Sequence, residues 1–154
     1  ETGSASILSD AAFMPLGRVV RVIDDIPFHT LAHPATAHAD GRLELFADVS
    51  EGEELWLMSG TENSLVDRAA HIAAASRAQL AGGEVSGALV VYCGGCMLSV
   101  RHRMDDVARG ISDALNGAPF LGLFSFGEQG ETSCGDSEHS NLMISCTTFG
   151  RARG

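Results

Sequence analysis

The 154-residue chain contains no lysine, so all ten of its cations are arginines, set against twenty Asp and Glu for a formal net charge of −10. No dense basic stripe can be drawn from them, which argues against nucleic acid and anionic membrane surfaces as partners. No apolar run approaches the roughly 20 residues of a membrane span, and Glu1 to Ser9 lack the charged and apolar regions of a secretory signal. Cysteine is scarce as well. Four of them, Cys93, Cys96, Cys134 and Cys146, all in the second half, are too few to staple a secreted scaffold of this length. Free thiols and a cytoplasmic setting are the expectation.

What is present suffices for one ordinary domain: 45% hydrophobic residues can bury a continuous core without metals or disulfides. Glu1-Thr2-Gly3-Ser4 reads as an added remnant, residues 1–16 as a lead-in, residues 17–150 as the domain and residues 151–154 as a polar tail. The whole reads as a piece of a longer protein.

Arg18 to Ile23 is dense in β-branched residues and stops at Asp24-Asp25, as a strand does. Pro27 to Asp40, with three histidines and two prolines, has no periodicity and predicts a long loop of the kind that often serves a binding site. Leu43, Leu45 and Ala47 alternate with Arg42, Glu44, Phe46 and Asp48, and the Glu51-Gly52-Glu53 turn leads to Leu55 to Met58, predicting a hairpin. Thr61 or Asn63 caps a helix with Leu65, Ala69, Ile72, Ala73 and Leu80 on one side, stopped by Gly82-Gly83.

Ala88 to Cys93, nearly all apolar, predicts a central strand covered on both faces. After it, Val100, Met104, Val107, Ile111 and Leu115 mark a second helix closed by Asn116-Gly117, and Phe120 to Phe126 and Leu142 to Phe149 mark two more strands. The order predicts an α/β (α+β) fold: a mixed sheet of about six strands with two main helices, partly parallel in the second half.

Two central strands end in glycine-rich polar turns, Cys93 to Cys96 and Ser125 to Gly130, and such strand ends form the natural ligand crevice of an open sheet. Ala88-Leu89-Val90-Val91-Tyr92-Cys93-Gly94-Gly95, then Phe120 to Glu128, then Cys134, His139 and Asn141, resemble the C-terminal domain of FIST (F-box and intracellular signal transduction) proteins. In that family a strand ending in Cys leads to a Gly-Arg pair, a later strand reads like Gly-Phe-Tyr-Ser-Tyr-Gly-Glu, and a His-Asn element opens the last strand. The likeness extends upstream through Gly41 to Leu45 and Val49 to Leu55, so that it spans roughly 17–149. Two residues depart from it: Cys96 stands where the family usually has Arg, and Ser140 separates His139 from Asn141.

The resemblance implies a sensory input domain for a small ligand, an amino acid or similar metabolite, coupled to an N-terminal FIST domain and to partners such as a histidine kinase or diguanylate cyclase. It also implies a second ligand class, haem, as in nitric oxide sensors. The ligand residues it points to are Cys93, Gly94, Gly95, Cys96, Phe126, Gly127, Glu128, His139 and Asn141.

Other readings compete. Cys93 and Cys96, flanking a Gly-Gly turn, suit a thiol redox switch, against the plainer reading of one buried cysteine and one incidental. Cys93, Cys96, Cys134 and His139 have the donor types for zinc, but only the first pair has a zinc-like spacing. A haem iron would draw on His139, His33, His38 or Cys93, with no Cys-x-x-Cys-His attachment motif present. Glu128, after a glycine at a strand end, suits an amine anchor as well as a loop cap. Arg101, His102 and Arg103 suit a ligand carboxylate or an acidic partner loop as well as plain solvent. No nucleophile with its base, metal set or acid–base pair is legible locally, so a binding module is favoured over an enzyme.

Overall fold

A computed structural model describes residue 7 and residues 10–80, 84–131 and 137–151. Among these, the strands are β1 (Leu16–Ile23), β2 (Ile26–Ala32), β3 (Pro34–Ala37), β4 (Leu43–Leu45), β5 (Trp56–Leu57), β6 (Val85–Cys93), β7 (Phe120–Ser125), β8 (Glu128–Glu131), β9 (Ser137–Ser140) and β10 (Ile144–Gly150). The helices are α1 (Glu62–Ala78), α2 (Gly94–Ser99) and α3 (Met104–Ala114), with a 3-10 turn at Arg101–Arg103. The mixed α+β fold is as expected, with its strands divided over four small sheets: β2-β1-β5, β10-β6-β7, β3-β4 and β8-β9. Parallel pairing occurs between β6 and β7, while β10 runs antiparallel to β6.

The core lies between the β10-β6-β7 sheet and the pair α1 and α3. From β6 it takes Ala88, Val90 and Tyr92, from α1 Val66, Ala69 and Ala73, and from the second helical stretch Val100, Val107, Ile111 and Leu115. Alternation along β6 sends Leu89 and Val91 to the opposite face, with Leu121 and Leu123 beside them, and there Leu121 is 66% exposed. The expectation that β6 is covered on both faces is thus corrected, because both long helices pack on the same side.

Local chemistry explains the starts and stops. At the head of α1, the Thr61 hydroxyl accepts from Ser64 N–H at 3.1 Å while the Ser64 hydroxyl accepts from Thr61 N–H at 2.8 Å, so two helix-end donors are satisfied at once. The helix ends at Ala78, and the expected Gly82-Gly83 stop lies outside the described residues. Behind α3, Asn116 and Gly117 both adopt positive φ, and Gly117 N–H closes on Ser112 O at 2.8 Å. Arg77 of α1 donates to Ala114 O and to Asn116 Oδ1, tying the two helices together at that end.

The first half departs from two expectations. The loop predicted over Pro27 to Asp40 is largely strand: β1 turns through Asp24 and Asp25, both at positive φ, directly into β2. Aspartate tolerates the left-handed backbone that a two-residue hairpin turn needs. Pro27 is accommodated because β2 is an edge strand, and Pro34 because it is the first residue of β3. The predicted hairpin of Leu43–Ala47 with Leu55–Met58 does not form either, since β4 pairs with β3 and β5 with β1.

Candidate functional site

The carboxyl ends of β6 and β7 open on a cleft of about 540 Å³, counting the space that reaches solvent. Cys93, Gly95, Phe126, Glu128 and Asn141 line it, five of the nine residues singled out in the sequence. His33, Phe46, Leu98 and Leu142 complete it.

Each is placed by an identifiable local cause. Cys93 is the last residue of β6 and the N-cap of α2, so its side chain leaves the sheet where the chain turns. Its N–H donates to Met143 O at 3.1 Å, which holds the approach to β10 against it. Gly94 comes next because a Cβ there would lie 2.7 Å from the Phe126 ring, so glycine is what allows that ring across the turn. A Cβ on Gly95 would sit 3.6 Å from Cys93 Sγ and 3.4 Å from His33 Cε1, so its absence leaves the cleft floor open between sulfur and imidazole.

Asn141 ties the halves of the chain. Its Oδ1 accepts from His33 N–H at 2.9 Å and its N–H reaches Leu31 O at 3.4 Å, so the carboxamide NH₂ is the part left to face the cleft. His33 is buried, and its ring stands tilted against Phe46 at 5.7 Å. Next to Asn141, Leu142 has φ of 57°, a left-handed backbone that a branched side chain adopts only at a cost of about 1–2 kcal/mol. Strain of this kind sits at the cleft wall.

The remaining predicted residues stand nearby or apart. Gly94 supports Phe126, Gly127 donates its N–H to Ser125 Oγ at 3.0 Å, and Cys96 is wholly buried behind Cys93. His139, on β9 opposite Gln129, is exposed and does not line the cleft. Cys134 lies outside the described residues, and among those described no three His, Cys, Asp or Glu side chains converge to hold a metal ion. Arg103 and His102 have partners within the chain: Arg103 bonds Asp106 and Asn63, and His102 lies 3.5 Å from Glu62.

The electrostatics centre on Cys93 and Glu128, both nearly fully buried. The Cys96 S–H donates to the Cys93 sulfur and lowers the Cys93 pKa to about 6, with further help from the N–H groups of Cys96 and Gly95 and from the Glu128 carboxyl. Cys96, as donor and deeply buried, is pushed up strongly. Burial, then the neighbouring Cys93 charge and hydrogen bond, raises Glu128 from 4.5 to about 7. The pair therefore holds a proton in common near neutrality. Glu128 Oε1 has no hydrogen-bond partner.

His33, Phe46, Leu98 and Leu142 fall outside the predicted ligand set. For His33 the sequence offers only a role as a ligand for haem iron, and the histidine-rich stretch around it is the available signal. The three apolar residues carry none, since nothing in a lone Phe or Leu separates cleft wall from core.

No curated protein and no solved structure matches the chain. The family model of the FIST C domain matches residues 3–131, well over half of its length. A strand ending at Cys93, its parallel neighbour ending before Phe126-Gly127-Glu128, and that match agree: the chain belongs to the FIST C domain family.

Proposed function

We propose that this domain is the ligand-binding input of a signal-transduction protein and that the cleft between Cys93, Glu128 and Asn141 takes an amino acid or a similar small metabolite. Family membership supports a sensory role. The observation that carries the ligand class is Glu128: a buried carboxyl with a partnerless oxygen, lining a cleft otherwise walled by Phe46, Leu98, Phe126 and Leu142. A buried polar atom left unpaired costs about 1–3 kcal/mol, and a ligand ammonium would recover it while drawing the shared proton off. The Asn141 NH₂ and the apolar walls would then receive a carboxylate and a side chain.

Haem fits less well. His33 and Cys93 share one wall, both close to the Gly95 position, and among the described residues no arginine lines the cleft to meet propionates. The uncovered face of β6 and β7, with Leu121 and Leu123 outward, suits a protein partner, for which an N-terminal FIST domain is our first choice and a histidine kinase or diguanylate cyclase the downstream one.

A thermal-shift screen of the full-length protein against the common amino acids tests the reading. Ligand at about 100 times its Kd should stabilise by about 2.7 kcal/mol, which raises Tm by several degrees for one or a few amino acids. A flat panel overturns it.

A further inference from the structure

We propose that the same cleft is a covalent receptor for small α,β-unsaturated carbonyl compounds, with Cys93 Sγ bonding their β-carbon and the Glu128 carboxyl supplying the proton. The inference rests on the cleft being the ligand site, and it adds a chemical step to that reading.

Three features place the parts. Cys93 Sγ and the Glu128 carboxyl line one cleft, each close enough to shift the other's proton affinity. Cys93 is 4% exposed, and Gly95 keeps its sulfur open to the cleft, because a methyl there would stand 3.6 Å from Sγ. The walls from Phe46, Leu98, Phe126 and Leu142 are apolar, which suits the hydrocarbon part of an enone or enal. Glu128 Oε1, buried and partnerless, is the oxygen left free to meet the incoming molecule.

The step balances without an oxidant or reductant. The sulfur lone pair forms the S–C bond, the C=C π pair moves to give an enolate, and the Glu128 proton quenches it, leaving a saturated thioether and a Glu128 carboxylate. Cys96 supports the thiolate through its S–H and stays protonated.

The charge state of Cys93 explains only part of this. A pKa near 6 raises the thiolate fraction at pH 7 by roughly thirtyfold over an ordinary thiol, but the weaker nucleophile gives back roughly tenfold of that. A net gain of roughly two- to threefold is left at pH 7, rising to roughly tenfold or more at pH 5.5. Any larger selectivity must come from the positioned acid, which typically contributes about 10²-fold or more. Besides Cys96 and Glu128, the titratable side chains near the sulfur are His33, across Gly95, and Tyr92, whose pKa burial raises with help from the Cys93 charge.

The test uses methyl vinyl ketone at equimolar amount, intact-mass detection and peptide mapping, with N-acetylcysteine as the rate reference. One adduct is expected, mapped to Cys93, forming faster than on the reference, with the advantage larger at pH 5.5 than at pH 7. Glu128→Gln should slow it by roughly tenfold or more with the adduct still on Cys93. Gly95→Ala, whose contacts at the new methyl are ordinary and whose backbone suits alanine, should fold at least as well and also slow it by covering Sγ. Adducts spread over several cysteines, a rate no greater than the reference, or a Glu128→Gln rate equal to the parent's overturns the proposal. Amino-acid thermal shifts that persist without any Cys93 adduct overturn this step alone and leave the binding reading in place.

Discussion

The sheet β10-β6-β7 and the sheet β2-β1-β5 are built from equally apolar strands and are covered to different degrees. The first presses one face, with Ala88, Val90, Tyr92 and Ile144, against α1 and α3 and leaves Leu121 66% exposed on the other, whereas the second leaves Val22, Ile26, Trp56 and Leu57 outward, with Leu57 73% exposed. The difference lies in the connections between the strands. A parallel pair such as β6 and β7 needs a crossover, and the crossover supplies α2 and α3, whose apolar stripe covers the sheet. A two-residue turn between β1 and β2 supplies nothing to cover either face. The cleft lies beside both, with Cys93 from the end of β6, Glu128 from the start of β8 and His33 from the β2–β3 junction.

The sharpest way to break that comparison is to truncate one side chain on each side. Leu115→Ala removes one of the largest fully buried side chains and should cost about 2–5 kcal/mol by chemical denaturation. Leu57→Ala should cost less than about 0.5 kcal/mol, as exposed positions generally do. Equal losses would mean that the β2-β1-β5 sheet is covered in solution, by another copy or by a partner.

Asn141→Ala tests the seam. It strips the acceptor from His33 N–H, leaves a buried donor unsatisfied and should cost about 1–3 kcal/mol. If the seam only joins two independent halves, amide hydrogen exchange should rise at His33 and at residue 141 and stay unchanged along β6. A loss of protection through β6 would show the halves folding as one unit.

The same contrast governs how much of the molecule was legible in its sequence. In the second half, periodicity and punctuation agree with packing: the spacing from Val100 to Leu115, the Asn116-Gly117 stop and the apolar run into Cys93 each mark what forms. In the first half, Pro27, Pro34 and three histidines read as loop because the signal that reconciles them, an edge position and a strand start, is a property of the sheet. The site was legible to the same degree. Cys93 ends β6, Gly95 lies in the first turn of α2, Phe126 lies between β7 and β8, and Glu128 begins β8, so the glycines beside them marked element boundaries; Asn141 came with the likeness read from the sequence and lies beyond residues 3–131 of the family match. His33 needed the β2–β3 junction, and Leu142 needed a backbone angle that no leucine signals.

The smallest effect expected at the cleft concerns the shared proton, and its two halves have opposite signs. Glu128 has a raised folded pKa, so its stabilisation is complete below about pH 4.5 and is lost as pH rises through about 7. Cys93 has a lowered one, so its stabilisation is absent below about pH 6 and is gained toward 9. The two overlap between pH 6 and 7, and because they share one proton the net excursion should be about 1–2 kcal/mol, well below the sum of two separate titrations. Unfolding free energy should therefore pass through a shallow minimum near pH 6–7. Glu128→Gln should remove the falling limb and leave the rise, while Cys93→Ser should remove the rise and leave a fall, since burial, the leading cause of the Glu128 shift, remains. A parent profile that is flat from pH 4.5 to 9, with both variants unchanged in shape, would mean that water reaches the cleft floor and keeps both groups near their ordinary values.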